Sequence, residues 1–308
     1  MSDVVLLFSG QGAQKVGMGK DFHEASEAAR AKFAAADEAL GFPLSKVMFE
    51  GPDEELTRTS RCQPALYLHG LVALDLLKER LPNLNPVAAA GLSLGEFTAH
   101  TAAGTFSFED GLRIVAQRGG FMEEACEATQ GAMAAMIGGS DEAVADLAAA
   151  NDVDVANFNC PGQTVVSGDE AGVDAAVAAA KDKGIRKAVK LKVAGAYHSR
   201  LMKSAQDKLA TELAAVSMQS PRIPVVCNFA AKAVREPAEI RDMLEKQVTG
   251  SVRWTESIQQ LVADGHTTFI ELGPGKVLAG LVGKIAKDVT VVSIEDLESL
   301  EKAVEALS

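Results

Sequence analysis

The chain has 308 residues, of which 47% are hydrophobic and 5% aromatic, so it is long enough for one large domain, or a large domain carrying a smaller one, with a real core. Its formal net charge of -12 argues against nonspecific attraction to nucleic acid or to an anionic membrane surface. The four cysteines lie far apart and have no histidine at ligand spacing, which predicts free thiols in a reducing compartment and no metal site or disulfide framework.

The first predicted element is a buried strand over residues 4–8, which begins too early, and without a basic flank, for a signal peptide. No apolar run approaches the roughly 20 residues of a membrane helix, so we expect a cytoplasmic protein. The strand is followed by the glycine-flanked turn Ser9-Gly10-Gln11-Gly12-Ala13-Gln14. Its backbone N–H groups can approach a ligand closely, and Gln11 is one candidate donor of an oxyanion hole. A nucleotide-binding loop is the competing interpretation, but the third glycine of the dinucleotide fingerprint is missing.

A serine between two glycines is the most informative motif of the chain. The segment is Gly91-Leu92-Ser93-Leu94-Gly95, which directly follows a short apolar strand at residues 86–90 and precedes a helix-forming stretch at residues 96–103. A strand, a turn too tight for side chains and a helix form the nucleophile elbow of hydrolase-type enzymes. The pattern predicts Ser93 as the nucleophile, with the N–H of Leu94 as the second oxyanion donor. The alternative is a chance turn of small residues in a glycine-rich chain.

The next helix, which begins after the predicted cap at Ser107, carries an arginine on an apolar stripe. Gly111, Val115, Arg118 and Met122 fall on one face. A guanidinium taken out of water requires an anion. The pattern therefore indicates either an internal salt bridge or the bidentate capture of a substrate carboxylate by Arg118.

The middle of the chain reads as a separate unit. Predicted strands at 132–137, 154–157, 163–167 and 187–193 alternate with helices at 141–150 and 170–183, which is the β-α-β-β-α-β order of a ferredoxin-like fold. We therefore expect a small ferredoxin-like α+β domain at residues 127–194, inserted into a large discontinuous domain made of residues 1–126 and 195–308. A substrate cleft is expected where the two domains meet.

A nucleophilic serine needs a base, and His198 is the strongest of five histidines. It lies in Gly195-Ala196-Tyr197-His198-Ser199, where the chain returns to the large domain. Taken alone, a structural role would be the default for this histidine, and the elbow at Ser93 reverses that preference. His69 lies inside a helical pattern predicted over residues 64–77 and His100 on the helix that leaves the elbow, and both are expected to be packing or surface residues.

The fold class follows from the remaining strands. Short apolar runs at 225–228, 268–272 and 290–293 join those at 4–8 and 87–90, and longer amphipathic helices separate them. This alternation predicts an α/β fold in which a mostly parallel, doubly wound, α/β-hydrolase-like sheet is covered by helices on both faces, with the small α+β domain inserted.

Together these segments resemble the malonyl-CoA:acyl carrier protein transacylases of fatty-acid synthesis. The resemblance runs through the whole chain in family order. It rests on residues 8–14, 63–66, 91–96, 117–119 with Met122, 157–168, 195–199, Gln247 with 252–254, and 269–275. Leu92 departs from the family pattern, in which a histidine usually precedes the nucleophile, and this departure bears on how strictly malonyl is selected.

The resemblance implies a ping-pong acyl transfer that needs no cofactor beyond malonyl-CoA and holo acyl carrier protein. Ser93 would be the nucleophile and His198 its base, with the imidazole held by a main-chain carbonyl near Gln247. Arg118 would grip the malonyl carboxylate. Gln63, Asn157 and Asn159 would line the cleft. For Gln63 a helix-start amide, and for the two asparagines ordinary turn positions, are the alternatives.

The expected partners are malonyl-CoA and acyl carrier protein, with no nucleic acid and no membrane, and a monomer is the expected oligomeric state. Basic residues of the small domain are candidates for docking the acidic carrier protein, and a solvated strand face is the alternative explanation; they are Arg186, Lys187, Lys190 and Lys192. Two other classes of protein share some of these features. A serine esterase or thioesterase would share the elbow, and a scaffold that binds carrier protein would share the fold.

Overall fold

The structure, a computed structural model, describes residues 3–308 as an α/β protein with two β-sheets. The strands are β1 Asp3–Phe8, β2 Asn85–Gly91, β3 Gly131–Ile137, β4 Asp154–Cys160, β5 Gln163–Asp169, β6 Lys187–Lys190, β7 Val225–Val226, β8 Ala233–Val234, β9 Thr268–Leu272 and β10 Thr290–Ile294. The helices are α1 Lys20–Ala25, α2 Glu27–Leu40, α3 Leu44–Glu50, α4 Asp53–Thr57, α5 Thr59–Arg80, α6 Leu94–Ala102, α7 Phe108–Glu127, α8 Asp141–Ala150, α9 Glu170–Ala179, α10 Lys203–Ala215, α11 Pro237–Lys246, α12 Trp254–Ala263, α13 Val277–Ile285 and α14 Leu297–Leu307. Two short 3₁₀ turns span Ala180–Lys183 and Arg200–Met202.

The larger sheet has the strand order β10-β9-β1-β2-β7-β8. The first five of these strands are parallel, which confirms the predicted fold class, and β8 adds an antiparallel edge that the sequence did not indicate. Strand β7 is only two residues long, shorter than the predicted strand at 225–228.

Helices cover both faces of the larger sheet, because the side chains of its central strand alternate between two cores. Val4, Leu6 and Phe8 of β1 belong to a large cluster shared with α2, α5 and α7, whereas Val5 and Leu7 belong to a second cluster with α12 and α13. A strand buried on both faces reads as a continuous apolar run, as residues 4–8 do.

The smaller sheet has the order β4-β5-β3-β6, with every neighbouring pair antiparallel. Its elements follow the chain as β3-α8-β4-β5-α9-β6, which is the predicted order. The boundaries differ most in three places. Strand β4 continues to Cys160, β6 ends at Lys190, and the last turn of the predicted 170–183 helix is the 3₁₀ turn. The helices α8 and α9 pack on one face of this sheet around a separate apolar cluster.

The strands of the larger sheet place their following loops at one edge. In the parallel ladders Phe8 of β1 is paired with Gly91 of β2 and with Leu272 of β9, so all three strands end at the same level. The carboxyl ends of parallel strands are where α/β sheets place ligand sites. No helix within residues 3–308 has an apolar stretch long enough to cross a bilayer.

Candidate active site

Ser93 lies in a strained turn between β2 and α6. Its backbone has φ of 55° and ψ of -107°, a conformation that non-glycine residues rarely adopt. The flanking glycines permit this turn. A Cβ at Gly91 would lie 2.0 Å from the backbone of Gly95, and a Cβ at Gly95 would lie 2.2 Å from the carbonyl oxygen of Phe8. This is the tight strand-turn-helix geometry that the sequence predicts.

His198 lies beside Ser93 across the cleft, although the two residues are separated by 105 positions. Its Nε2 is 2.8 Å from the Ser93 Oγ, and its Nδ1 is 2.8 Å from the main-chain carbonyl oxygen of Gln247. Because a carbonyl only accepts, Nδ1 carries the proton and Nε2 is left to accept from the serine hydroxyl. Burial, followed by the charge of Arg118, lowers the pKa of His198 to about 4, so the ring is neutral at physiological pH.

Arg118 is brought to the same place from the middle of α7. The side chain is 1% exposed, and its face of the helix, with Gly111, Val115 and Met122, is buried as predicted. Nη1 donates to the Gln63 Oε1 at 2.6 Å. Nη2 donates to the Ser93 Oγ at 3.1 Å and to the Gln247 Oε1 at 2.9 Å. The guanidinium therefore touches the serine hydroxyl that also contacts His198.

The direct hydrogen-bond acceptors of Arg118 within residues 3–308 are neutral groups. The guanidinium carbon lies 5.4 Å from the centre of the Phe97 ring, and the buried Nε has no acceptor in this part of the chain. Burial lowers the pKa of Arg118 to about 10, and the charge of Glu96 opposes that shift, so the group is cationic at neutral pH. The internal salt bridge that the sequence left open is not the observed arrangement. A buried cation held by neutral amides leaves a place for an anion.

Two buried residues that the sequence reasoning missed complete the network. Glu96 on α6 is fully buried, and its Oε2 accepts from the main-chain N–H of Asn228 at 2.8 Å and from the Gln247 Nε2 at 2.7 Å. Asn228 in turn accepts the N–H of Ser93 at 2.7 Å and donates its Nδ2 to the Gly91 carbonyl at 2.8 Å. A glutamate one turn into a helix reads from sequence as a solvated residue, and its burial gives no signal in the pattern.

Gln63 and Gln247 are both buried, although glutamine side chains are usually exposed. Gln63 is not at a helix start, since α5 begins at Thr59 and includes Pro64 in its interior, so the predicted 64–77 helix was too short. Gln247 follows α11 and bonds with both its main chain and its side chain. Its Nε2 also donates to the Ser93 carbonyl at 3.0 Å.

Ser93, His198 and Gln63 line a cavity of about 600 Å³ between the larger sheet and the smaller one. Asn157 and Asn159 line it from β4, and both belong to a strand, so the turn interpretation of these asparagines is wrong. Gln11 lines it from the loop after β1. Leu94 is the first residue of α6, where backbone N–H groups have no acceptor within the helix. No set of three or more metal-ligating side chains is grouped within residues 3–308.

Known proteins are similar to this chain over nearly its whole length. A family model described as the acyl transferase domain matches residues 5–301. The chain is 44% identical to the malonyl CoA-acyl carrier protein transacylase of Bacillus subtilis, an alignment that covers 100% of this chain and 98% of that protein. The chain belongs to the acyl transferase family.

Two solved structures have the same fold as this acyl transferase. An acyl carrier protein S-malonyltransferase from Vibrio cholerae superposes with a TM-score of 0.94 at 38% identity, covering 98% of this chain and 100% of that one. A malonyl-transacylase in complex with its type II PKS acyl-carrier protein superposes with a TM-score of 0.94 at 35% identity, covering 99% of this chain and 100% of that one.

The four basic residues predicted to dock carrier protein differ in whether their charges are already paired within this acyl transferase. Lys190 at the end of β6 donates to Glu170 and Asp174 of α9, each at 2.8 Å. These bonds raise its pKa and compensate its charge. Arg186, Lys187 and Lys192 are exposed, and Lys192 lies on the rim of the cavity.

Proposed function

We propose that the protein transfers the malonyl group of malonyl-CoA to the phosphopantetheine thiol of acyl carrier protein, through a malonyl ester on Ser93, and so supplies fatty-acid chain extension. The observation that carries the proposal is the contact of Arg118 with the Ser93 hydroxyl. A buried cation with neutral partners, 3.1 Å from the nucleophile, fits an acyl group whose far end is a carboxylate.

In the first half-reaction, the neutral His198 Nε2 takes the proton of Ser93 as Oγ attacks the thioester carbonyl. The carbonyl oxygen becomes an oxyanion, for which the N–H groups of Gln11 and Leu94 are the proposed donors. Losing one such donor costs roughly 3–4 kcal/mol in related sites. The intermediate collapses by breaking the carbon–sulfur bond, and the proton on His198 leaves with the thiol of coenzyme A.

The second half-reaction reverses these steps with a different thiol. The pantetheine thiol of carrier protein gives its proton to His198 and attacks the malonyl ester, and Ser93 takes the proton back when the ester bond breaks. Arg118 holds the malonyl carboxylate throughout, while Gln63 orients Arg118 and the two asparagines orient the acyl group. The scheme uses protein groups and the two substrates, without a cofactor, in the cytoplasm.

We also propose that residues 127–194 form a domain inserted into a large one made of 1–126 and 195–308, of which residues 1 and 2 lie outside the described part of the chain. Support comes from the apolar core that α8 and α9 share with the smaller sheet and from the cavity between the two sheets. The acyl chain would enter along that junction.

The test is a pulse and chase. The protein is incubated with radiolabelled malonyl-CoA, isolated, and then given holo carrier protein or water. We expect label on the wild-type protein that stays until carrier protein arrives. Rapid loss of the label to water would indicate a hydrolase, and no labelling would indicate a binding scaffold. Ser93→Ala is expected to take up no label, and His198→Gln to take it up at least 100-fold more slowly.

Docking of carrier protein is a separate part of the proposal. We propose that it uses Arg186, Lys187 and Lys192, and not Lys190, whose charge is already matched by two carboxylates. Charge reversal to Glu at the three exposed positions should raise the KM for carrier protein several-fold and leave the KM for malonyl-CoA unchanged. Lys46→Glu on α3, another exposed lysine, is the matched control. Equal effects of all four substitutions would exclude this docking surface.

A further inference from the structure

One carboxylate lies behind the site without touching the cavity. Glu96 is completely buried, with a relative accessibility of 0%, and it does not line the cavity. Burial raises its pKa to about 7. The proposed reaction, on which this inference rests, assigns no step to it.

The two groups that Glu96 holds control both peptide groups of the strained nucleophile. Its Oε2 fixes Asn228, whose Oδ1 accepts the Ser93 N–H at 2.7 Å. The same Oε2 fixes the Gln247 amide, whose Nε2 donates to the Ser93 carbonyl at 3.0 Å. A residue at φ of 55° persists only where its surroundings over-determine the backbone.

The same carboxylate sets which way the Gln247 amide points. The Glu96 Oε2 accepts the main-chain N–H of Asn228 and acts as an acceptor toward Gln247 as well, so the NH₂ end of Gln247 faces Glu96. The carbonyl end is then directed at Arg118, at 2.9 Å from Nη2. With the amide reversed, an NH₂ group would face the guanidinium and two donors would oppose each other. The main chain of Gln247 meanwhile accepts from His198.

We propose that Glu96 is a positioning residue for acyl transfer, which acts through Gln247 and Asn228 to hold Ser93 in its reactive conformation and Arg118 in the direction of the acyl carboxylate. The seryl–histidyl pair has a carbonyl where hydrolase triads place a carboxylate. The acid of this site lies one layer further back and orients the nucleophile and the arginine.

A double-mutant cycle tests the route through Gln247. The substitution Gln247→Ala keeps the main-chain carbonyl that His198 uses and removes the amide. We expect Glu96→Ala and Gln247→Ala each to lower kcat/KM for malonyl transfer by about 10- to 100-fold, which corresponds to the loss of one hydrogen bond to a charged group. The kcat/KM of the double variant should lie within about threefold of that of the less active single variant, because both substitutions break the same chain of hydrogen bonds. Multiplicative effects would overturn the inference.

Conservative variants separate positioning from packing. Glu96→Gln can accept both hydrogen bonds with its amide oxygen. We expect its kcat/KM for malonyl transfer to be at least tenfold higher than that of Glu96→Ala. If Glu96→Ala is unfolded by circular dichroism, Glu96→Asp, which draws the carboxylate back by one methylene, replaces it in the cycle. Tyr67→Phe is the control for lost stability, since its hydroxyl is buried against Thr101 and Phe108 and away from the cavity. A Tyr67→Phe loss equal to that of Glu96→Ala would assign the effect to stability.

Labelling of Ser93 by a fluorophosphonate separates this inference from the proposed function. The reagent reacts with an activated serine and needs neither a malonyl group nor carrier protein. If wild-type protein transfers no malonyl group but is labelled, and Glu96→Ala slows labelling at least tenfold, the proposed function fails and the positioning role stands. Labelling of Glu96→Ala within threefold of wild type, in folded protein, would refute the positioning role.

Discussion

Removing the guanidinium of Arg118 should change which acyl group the enzyme accepts more than it changes the enzyme's ability to react. The side chain has five N–H groups, and three hydrogen bonds occupy it, to Gln63, Gln247 and Ser93. Two N–H groups remain for a carboxylate. At about 1.5–3 kcal/mol for each hydrogen bond to a charged group, Arg118→Ala should lower kcat/KM for malonyl-CoA by roughly 10²- to 10⁴-fold.

The assay compares two thioesters that differ by this carboxylate. Rates of acyl-enzyme formation are measured by rapid quench with malonyl-CoA and with acetyl-CoA, for the wild type, Arg118→Ala and Arg118→Lys. Acetyl-CoA lacks the carboxylate, so Arg118→Ala removes only the contact of Arg118 with Ser93 from its reaction. The rate with acetyl-CoA should therefore fall less than tenfold. The lysine variant keeps the charge but cannot span both glutamines, and its malonyl rate should be intermediate. An equal loss for both thioesters in Arg118→Ala would refute the assignment.

Three further predictions concern the elbow, the core and the base. Gly95→Ala should abolish acylation, because the added methyl group would lie 2.2 Å from the Phe8 carbonyl oxygen. Gly120→Ala, whose methyl group would have no neighbour within 4 Å outside its own stretch of helix α7 in the described part of the chain, should react like wild type in the same labelling assay. A reactive Gly95→Ala would contradict the packing. Phe97→Ala should lower the free energy of unfolding in urea by about 3–5 kcal/mol, because the ring is completely buried; a change below about 1 kcal/mol would be incompatible with that burial. The acid limb of kcat/KM for acylation should be centred near pH 4, because neutral His198 is the active form and its pKa is lowered to about 4; a limb centred near pH 6.5 would mean an exposed imidazole.

The same kind of burial makes stability depend on pH. Burial lowers the pKa of His100 to about 3, and an unfolded histidine titrates near 6.5. The unfolded state therefore binds more protons between these values, and the stability that neutral His100 preserves above pH 6.5 is lost as the pH falls toward 3. The fall in melting temperature from pH 7 to pH 5 should be smaller in His100→Gln than in wild type. An unchanged fall would contradict the shifted pKa.

Parts of the fold with a strong local pattern could be predicted from the sequence. The parallel strands are apolar runs buried on both faces, and the small sheet was evident from the order of its elements. Strand β8 is two residues long and carried no such pattern. Helix α5 begins at Thr59 and carries Pro64 in its interior, where a proline removes a main-chain hydrogen bond, so the sequence pattern indicates a start at Pro64 instead.

The site was predictable where a residue type and a turn coincide, and unpredictable where burial alone makes a residue matter. Ser93 stands in a motif, and Arg118 on an apolar stripe. Glu96 is an acid early in a helix, an ordinary surface position in a sequence, and Asn228 ends the strand predicted at 225–228 with a polar side chain whose partner the pattern does not indicate. Their contacts span more than 130 positions of chain, and periodicity carries no information at that range.

The carbonyl that supports His198 bears on the lifetime of the acyl ester. Burial and the charge of Arg118 make the His198 ring a weak base, and the Gln247 carbonyl, a neutral acceptor, offsets this less than a carboxylate would. A thiol with a pKa of about 8.5 surrenders its proton to such a base far more readily than water does, at about 15.7. A modest base thus favours sulfur over water as the acceptor, which would lengthen the lifetime of the proposed acyl ester on Ser93.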